Sequence, residues 1–161
     1  MPETVTMPRR HQDALAVLSA TRGVLTRGWV QRTWYAVETP AARRLRFLPV
    51  RRDRSQVVGA CLVGAVVHGA WLLSPRAEYA YPAIDALWHT LFDVSGDSDP
   101  VGPMTAPLVR AARVRDLTTW NDHDCRTGAE VLRLVDRSAE RIAARHVRPL
   151  PVEDRALLDA G

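Results

Sequence analysis

The chain has 161 residues, 47% of them hydrophobic, and its 22 basic side chains against 18 acidic ones give a net charge of +4. That length buries one ordinary core without staples, the apolar content excludes wholesale disorder, and the two cysteines, Cys61 and Cys125, exclude a disulfide framework. All the basic residues are arginine; GC-rich codon use accounts for this without any function, and phosphate binding is the functional alternative.

Residues 1–10 read as a flexible tail. The start, MPETVTMPRRHQD, has no apolar core of a signal peptide, so a cytoplasmic protein is expected. From 11 to 27, Leu15, Leu18 and Leu25 with Ala14, Val17, Thr21 and Val24 recur at helical steps, and Gly28 stands where a helix-ending glycine would. Residues 29–37 are rich in aromatic and β-branched side chains and suit a short strand. Its one visible partner is the stretch 45–50, across a turn at Thr39 and Pro40, as a small β-hairpin within residues 29–50.

Arg43, Arg44, Arg46, Arg51, Arg52 and Arg54 crowd the same region, and residues 1–54 hold 11 arginines against 4 acids, while the remainder holds 11 against 14. Such an asymmetry marks either a solvated loop or a surface for weak nucleic-acid binding. Residues 57–73 are apolar on nearly every side, as in the central helix of a bundle, and are interrupted by Cys61, His68 and three glycines. A buried core helix fits this run better than a membrane span, which needs about 20 apolar residues.

Pro82 suits the first turn of a third helix over 82–92, with Ile84, Leu87, Trp88 and Leu91 on one face. The Gly- and Pro-rich stretch 95–107 reads as an exposed loop, and 108–117 as a short helix. Thr127 and Glu130 have the spacing of a capping box, and behind them Val131, Leu134, Val135, Ser138 and Ile142 share one helix face, to about 146. The expected architecture is mainly α: one helical bundle domain of four to five helices over 11–147, with a C-terminal tail at 148–161.

The chemistry concentrates in two places. Cys61, at the start of the apolar helix, sits where the positive helix end lowers a thiol pKa, and is a candidate nucleophile. His68, on the same helix, is about 10 Å away and out of reach, so a base or orienting group has to come from His89, His123 or the pair Asn121–Asp122. Against this, apolar neighbours raise a thiol pKa and hide the sulfur. The run from Asn121 to Arg126 precedes a helix, where short polar side chains cap backbone N–H groups. His123, Asp124 and Cys125 are adjacent and do not make a metal signature, so no metal and no cofactor is expected.

Gly28–Trp29–Val30–Gln31, then Ala60–Cys61–Leu62–Val63–Gly64–Ala65, then Trp120–Asn121–Asp122 with Arg126–Thr127 and Glu130–Val131–Leu132 occur in that order. The series resembles a small domain family of unknown function found mainly in actinobacteria and their phages. The resemblance implies that Trp29, Gln31, Cys61, Gly64, Ala65, Trp120, Asn121, Asp122, Arg126, Thr127 and Glu130 are its motif positions. Among them Trp29, Gln31, Trp120 and Arg126 are the candidate ligand-binding residues, and Cys61, Asn121 and Asp122 the candidate catalytic ones. The family has a small turn where this chain has His123, Asp124 and Cys125, which counts against a role for those three.

Three functional readings follow. The first is a cytoplasmic, non-catalytic binding or accessory module for a protein or small-molecule partner, with no membrane association. The second is a thiol enzyme using Cys61. The third is a nucleic-acid-associated protein using the arginine-rich N-terminal third.

Overall fold

The computed structural model describes residues 7–37, 57–93, 98–102 and 105–146. Helix α1 (Arg9–Arg27) buries His11, Ala14, Val17, Leu18, Thr21, Val24 and Leu25; all but His11 belong to the predicted stripe, whose Leu15 is only partly buried. It packs against α2 (Leu62–Leu73), α3 (Tyr81–Phe92) and α5 (Gly128–Ala144), while α4 (Pro107–Asn121) lies on α3 and α2. A single 3₁₀ turn, Ala77–Ala80, joins α2 to α3. The fold is mainly helical, with one small antiparallel strand pair of β1 (Tyr35–Val37) and β2 (Val57–Ala60). No helix among the described residues is long and apolar enough to cross a membrane.

The strand pair corrects two expectations. β1 lies within the stretch predicted to be extended, but its partner is β2, with Tyr35 opposite Ala60 and Ala36 opposite Gly59. The expected partner 45–50 lies outside the described residues, as do Arg43 to Arg54, residues 1–6 of the N-terminal tail, and 148–161. Residues 57–60 are therefore a strand rather than the first turn of the apolar helix. Val57 and Val58 are β-branched, and β2 is gripped on both sides. Val30 N–H donates to Ala60 C=O (3.2 Å), Ala60 N–H to Gly28 C=O (3.0 Å) and Cys61 N–H to Trp34 C=O (3.1 Å).

That grip explains two glycines. Gly28 ends α1 in extended backbone rather than the left-handed conformation of a helix-ending glycine, and a side chain there would strike the Val58 carbonyl oxygen. In α2, a Cβ at Gly64 would strike the Trp34 carbonyl oxygen, so α2 can seat against the 28–35 segment only with glycine at that position.

Around this frame the local signals hold well. Pro82 occupies the first turn of α3. In α5 the buried residues are Val131, Leu134, Val135, Ser138 and Ile142, and both halves of the Thr127/Glu130 capping box are made. Helix α4 is longer than expected and carries Trp120 and Asn121 in its last turn. The stretch 98–102 is less exposed than a Gly/Pro loop suggests. Val101 is fully buried, His11 Nε2 contacts Asp99 Oδ1 (3.0 Å), and Arg145 donates to Ser98 C=O (2.5 Å). Burial would raise the Asp99 pKa, but the Val101 N–H and the His11 ring bring it below the ordinary carboxylate value.

Candidate functional site

Asn121 is the last residue of α4, and its side chain is wholly buried between the 28–34 segment and the start of α2. Its carbonyl oxygen accepts from Trp29 Nε1 (2.8 Å) and from the backbone N–H of Leu62 (3.0 Å). Its amide nitrogen donates to Val30 C=O (3.3 Å) and to Asp122 Oδ1 (2.8 Å). Two donors and two acceptor positions are all that a carboxamide has, so none is left for a ligand. One side chain thereby ties α4, the segment after α1, and α2 together.

The neighbouring motif residues extend this knot. Gln31 Nε2 donates to the carbonyl oxygens of Asn121 (3.0 Å) and His123 (2.8 Å). Asp122 Oδ1 accepts from Arg32 N–H (2.9 Å), and the Arg32 guanidinium pairs with Asp124. Arg32 has φ of 59°, a left-handed conformation that non-glycine residues adopt rarely. The Asp122 bond to its N–H offsets that cost. Sequence reasoning missed Arg32, since no local signal marks a residue whose partner is 90 positions away.

Cys61 is the N-cap of α2 rather than a residue inside it. Its sulfur accepts from Gly64 N–H (3.3 Å), while Asn121 takes the Leu62 N–H. With Cys61 N–H bonded to Trp34 C=O, three of the four orphan donors of that helix start are satisfied, one locally, one from α4 and one from the segment after α1. Cys61 as a residue is 4% exposed. Burial pushes the thiol pKa above its ordinary value; the Gly64 N–H pulls the other way, and the Asp122 carboxylate adds to the rise. At this positive helix end, burial outweighs the pull of the helix N–H groups on the thiol.

Trp120 and Arg126 satisfy each other. The guanidinium lies 3.9 Å over the indole, Arg126 Nε donates to Trp120 C=O (3.2 Å), and Nη1 reaches Glu130 (3.3 Å). Glu130 is held below its ordinary pKa by the backbone N–H and hydroxyl of Thr127. Trp29 lies over Gly128 at the start of α5. His123, Asp124 and Cys125 are exposed. His123 Nδ1 accepts from Cys125 N–H (3.4 Å) while Asp124 turns to Arg32, so these side chains do not converge. The structure brings Trp29, Gln31, Asn121 and Asp122 into one hydrogen-bond network, which meets the Cys61 cap at the neighbouring Leu62 N–H; Trp120 and Arg126 form its flank.

The other candidate bases lie in structural contacts of their own. His68 is buried beside Tyr35 and Trp71, with ring centroids 6.3 Å from each. His89, in the last turn of α3, contacts the Ser98 hydroxyl (3.3 Å). Burial and the nearby Arg113 lower its pKa.

The chain belongs to a family of unknown function, DUF6197, whose model matches residues 9–141. No curated protein and no solved structure matches it.

Proposed function

We propose that this DUF6197 domain is a cytoplasmic, non-catalytic binding or accessory module, and that the Trp-Asn-Asp motif holds its fold together rather than performing chemistry. The observation that carries this is the full occupancy of Asn121: its amide makes four hydrogen bonds, all to the protein's own frame. A catalytic orienting group needs a hydrogen-bonding position directed at a nucleophile or substrate, and this side chain has none free. Cys61 supports the same reading, since a buried sulfur with a raised pKa acts as a cap and not as an attacking thiolate. The motif resemblance to actinobacterial and phage domains fits an accessory role.

The test is time-resolved iodoacetamide mapping of the folded protein at neutral to mildly alkaline pH. Cys125, exposed and next to Arg126, is expected to be labelled first, and Cys61 only on unfolding. Labelling of Cys61 as fast as Cys125, lost in Asp122→Asn, would replace this reading with the thiol enzyme.

A further inference from the structure

Two adjoining hollows run along the face where α2, the 3₁₀ turn, α3 and α4 meet, and they share Ser74, Arg76, Tyr81 and Arg110 as walls. The first, about 280 Å³, is apolar, with Trp34, Val67, Trp71 and Val114 among its lining. The second, about 670 Å³, is polar and is reached by Arg9, Arg10, Arg76 and Arg110, with Asp13 and Glu78 as its acids. None of these residues belongs to the Asn121 network.

The arginines of the polar arm are incompletely used. Among the described residues, Arg9 and Arg76 enter no ion pair; Arg10 reaches Asp85 (3.9 Å) and the Val101 carbonyl oxygen (3.5 Å), and the buried Nε atoms of Arg10 and Arg110 have no hydrogen-bond partner. Arg110 is held in place by its stack on Tyr81 (3.6 Å) and its bond to Thr105 C=O (2.7 Å), which orients the guanidinium in advance. Asp13 accepts from the Tyr79 hydroxyl (2.9 Å), and that contact raises the Tyr79 pKa. Helix α1 also begins here, and among the described residues its first turn holds no acid and its N-terminus no side-chain cap.

We propose that this two-armed cleft binds a small aromatic phosphate monoester, with the phosphate among the arginines and the ring between Trp34 and Trp71. Charge selects the head: four guanidiniums less two carboxylates leave +2, which complements a phosphate monoester at neutral pH, whose charge is roughly −1.5 to −2. Guanidinium forks match phosphate oxygens in pairs. Shape selects the body, because 280 Å³ is at the small end of ligand cavities, roughly 300 to 1,000 Å³, and two half-exposed indoles favour a flat ring over a long chain. The assignment rests on the binding-module reading and gives that module its ligand class.

Isothermal titration of the whole chain with 1-naphthyl phosphate tests it, with 1-naphthol and inorganic phosphate as the two halves. The ester should bind at least about tenfold more tightly than either half, since each half loses one arm. Arg76→Gln, an exposed position outside the core, and Trp71→Ala should each weaken the ester about tenfold, and the Trp34 and Trp71 indole N–H signals should shift on titration. Absence of binding, equal affinity for 1-naphthol, an Arg76→Gln variant that binds unchanged, or binding to phosphatidylserine vesicles in place of the free ester would each overturn the assignment. Cysteine labelling fails or succeeds independently of these titrations, so loss of the ligand class and loss of the module reading are distinguishable.

Discussion

Helices α2 and α5 both begin at a capped N-terminus, and their caps are built in opposite ways. At α5, Thr127 and Glu130 cap each other within one turn, in the open: Glu130 N–H donates to the Thr127 hydroxyl (3.3 Å) and Thr127 N–H to the Glu130 carboxylate (2.8 Å). At α2, the Cys61 sulfur takes one N–H, and the Asn121 carboxamide, 59 positions along the chain, takes another, with both groups buried. The first cap belongs to the helix; the second exists only when α4 and the 28–34 segment are docked. A buried cap of this kind couples helix formation to tertiary assembly, because an N–H stranded away from water is costly.

Four measurements sharpen or break that contrast. The largest effect is expected from Asn121→Ala, which leaves the buried Leu62 N–H and the partly buried Trp29 indole N–H without their acceptor. At about 1–3 kcal/mol for each orphaned group, a loss of about 3 kcal/mol or more is expected in urea unfolding. A cost no larger than that of an ordinary surface substitution would mean that the buried cap is not a support of the fold. Gly64→Ala comes next. Helix propensity alone favours alanine by about 1 kcal/mol, yet the added methyl would meet the Trp34 carbonyl oxygen. A net destabilisation of about 2 kcal/mol is expected, and a more stable variant would show that α2 does not seat against that segment.

Thr127→Ala removes half of the exposed box and should cost about 1 kcal/mol. An unchanged melting midpoint would place the start of α5 elsewhere. The smallest effect concerns pH. The Cys61 pKa is raised in the folded protein, so below the ordinary value of 9.0 both states hold the proton and its contribution is complete. Above that value the unfolded chain ionises first, and stability falls as pH rises toward the folded pKa. Stability compared between about pH 8 and about pH 10 should decline less in Cys61→Ser, which has no thiol to titrate. An identical decline in the variant would assign the alkaline loss to other groups, Tyr79 among them, whose pKa is also raised.

What the sequence determined by itself was local. The five buried residues of α5, its capping box, the proline at the start of α3 and the end of α1 at Arg27 were all legible, since periodicity and capping act between residues one turn apart. The apolar surroundings of Cys61 also announced a buried thiol. The motif residues Trp29, Gln31, Cys61, Asn121 and Asp122 could be picked out, but their task could not. Tertiary structure decided that 57–60 is a strand paired with 35–37, that Cys61 stands at the helix boundary, and that Arg32 takes a left-handed conformation. It also brought together the arginines of the cleft from α1, α4 and the turn after α2. The physical reason is range: Trp29 meets Asn121 across 92 positions, and a hydrogen bond over that span has no signature in either neighbourhood until packing brings the two segments together.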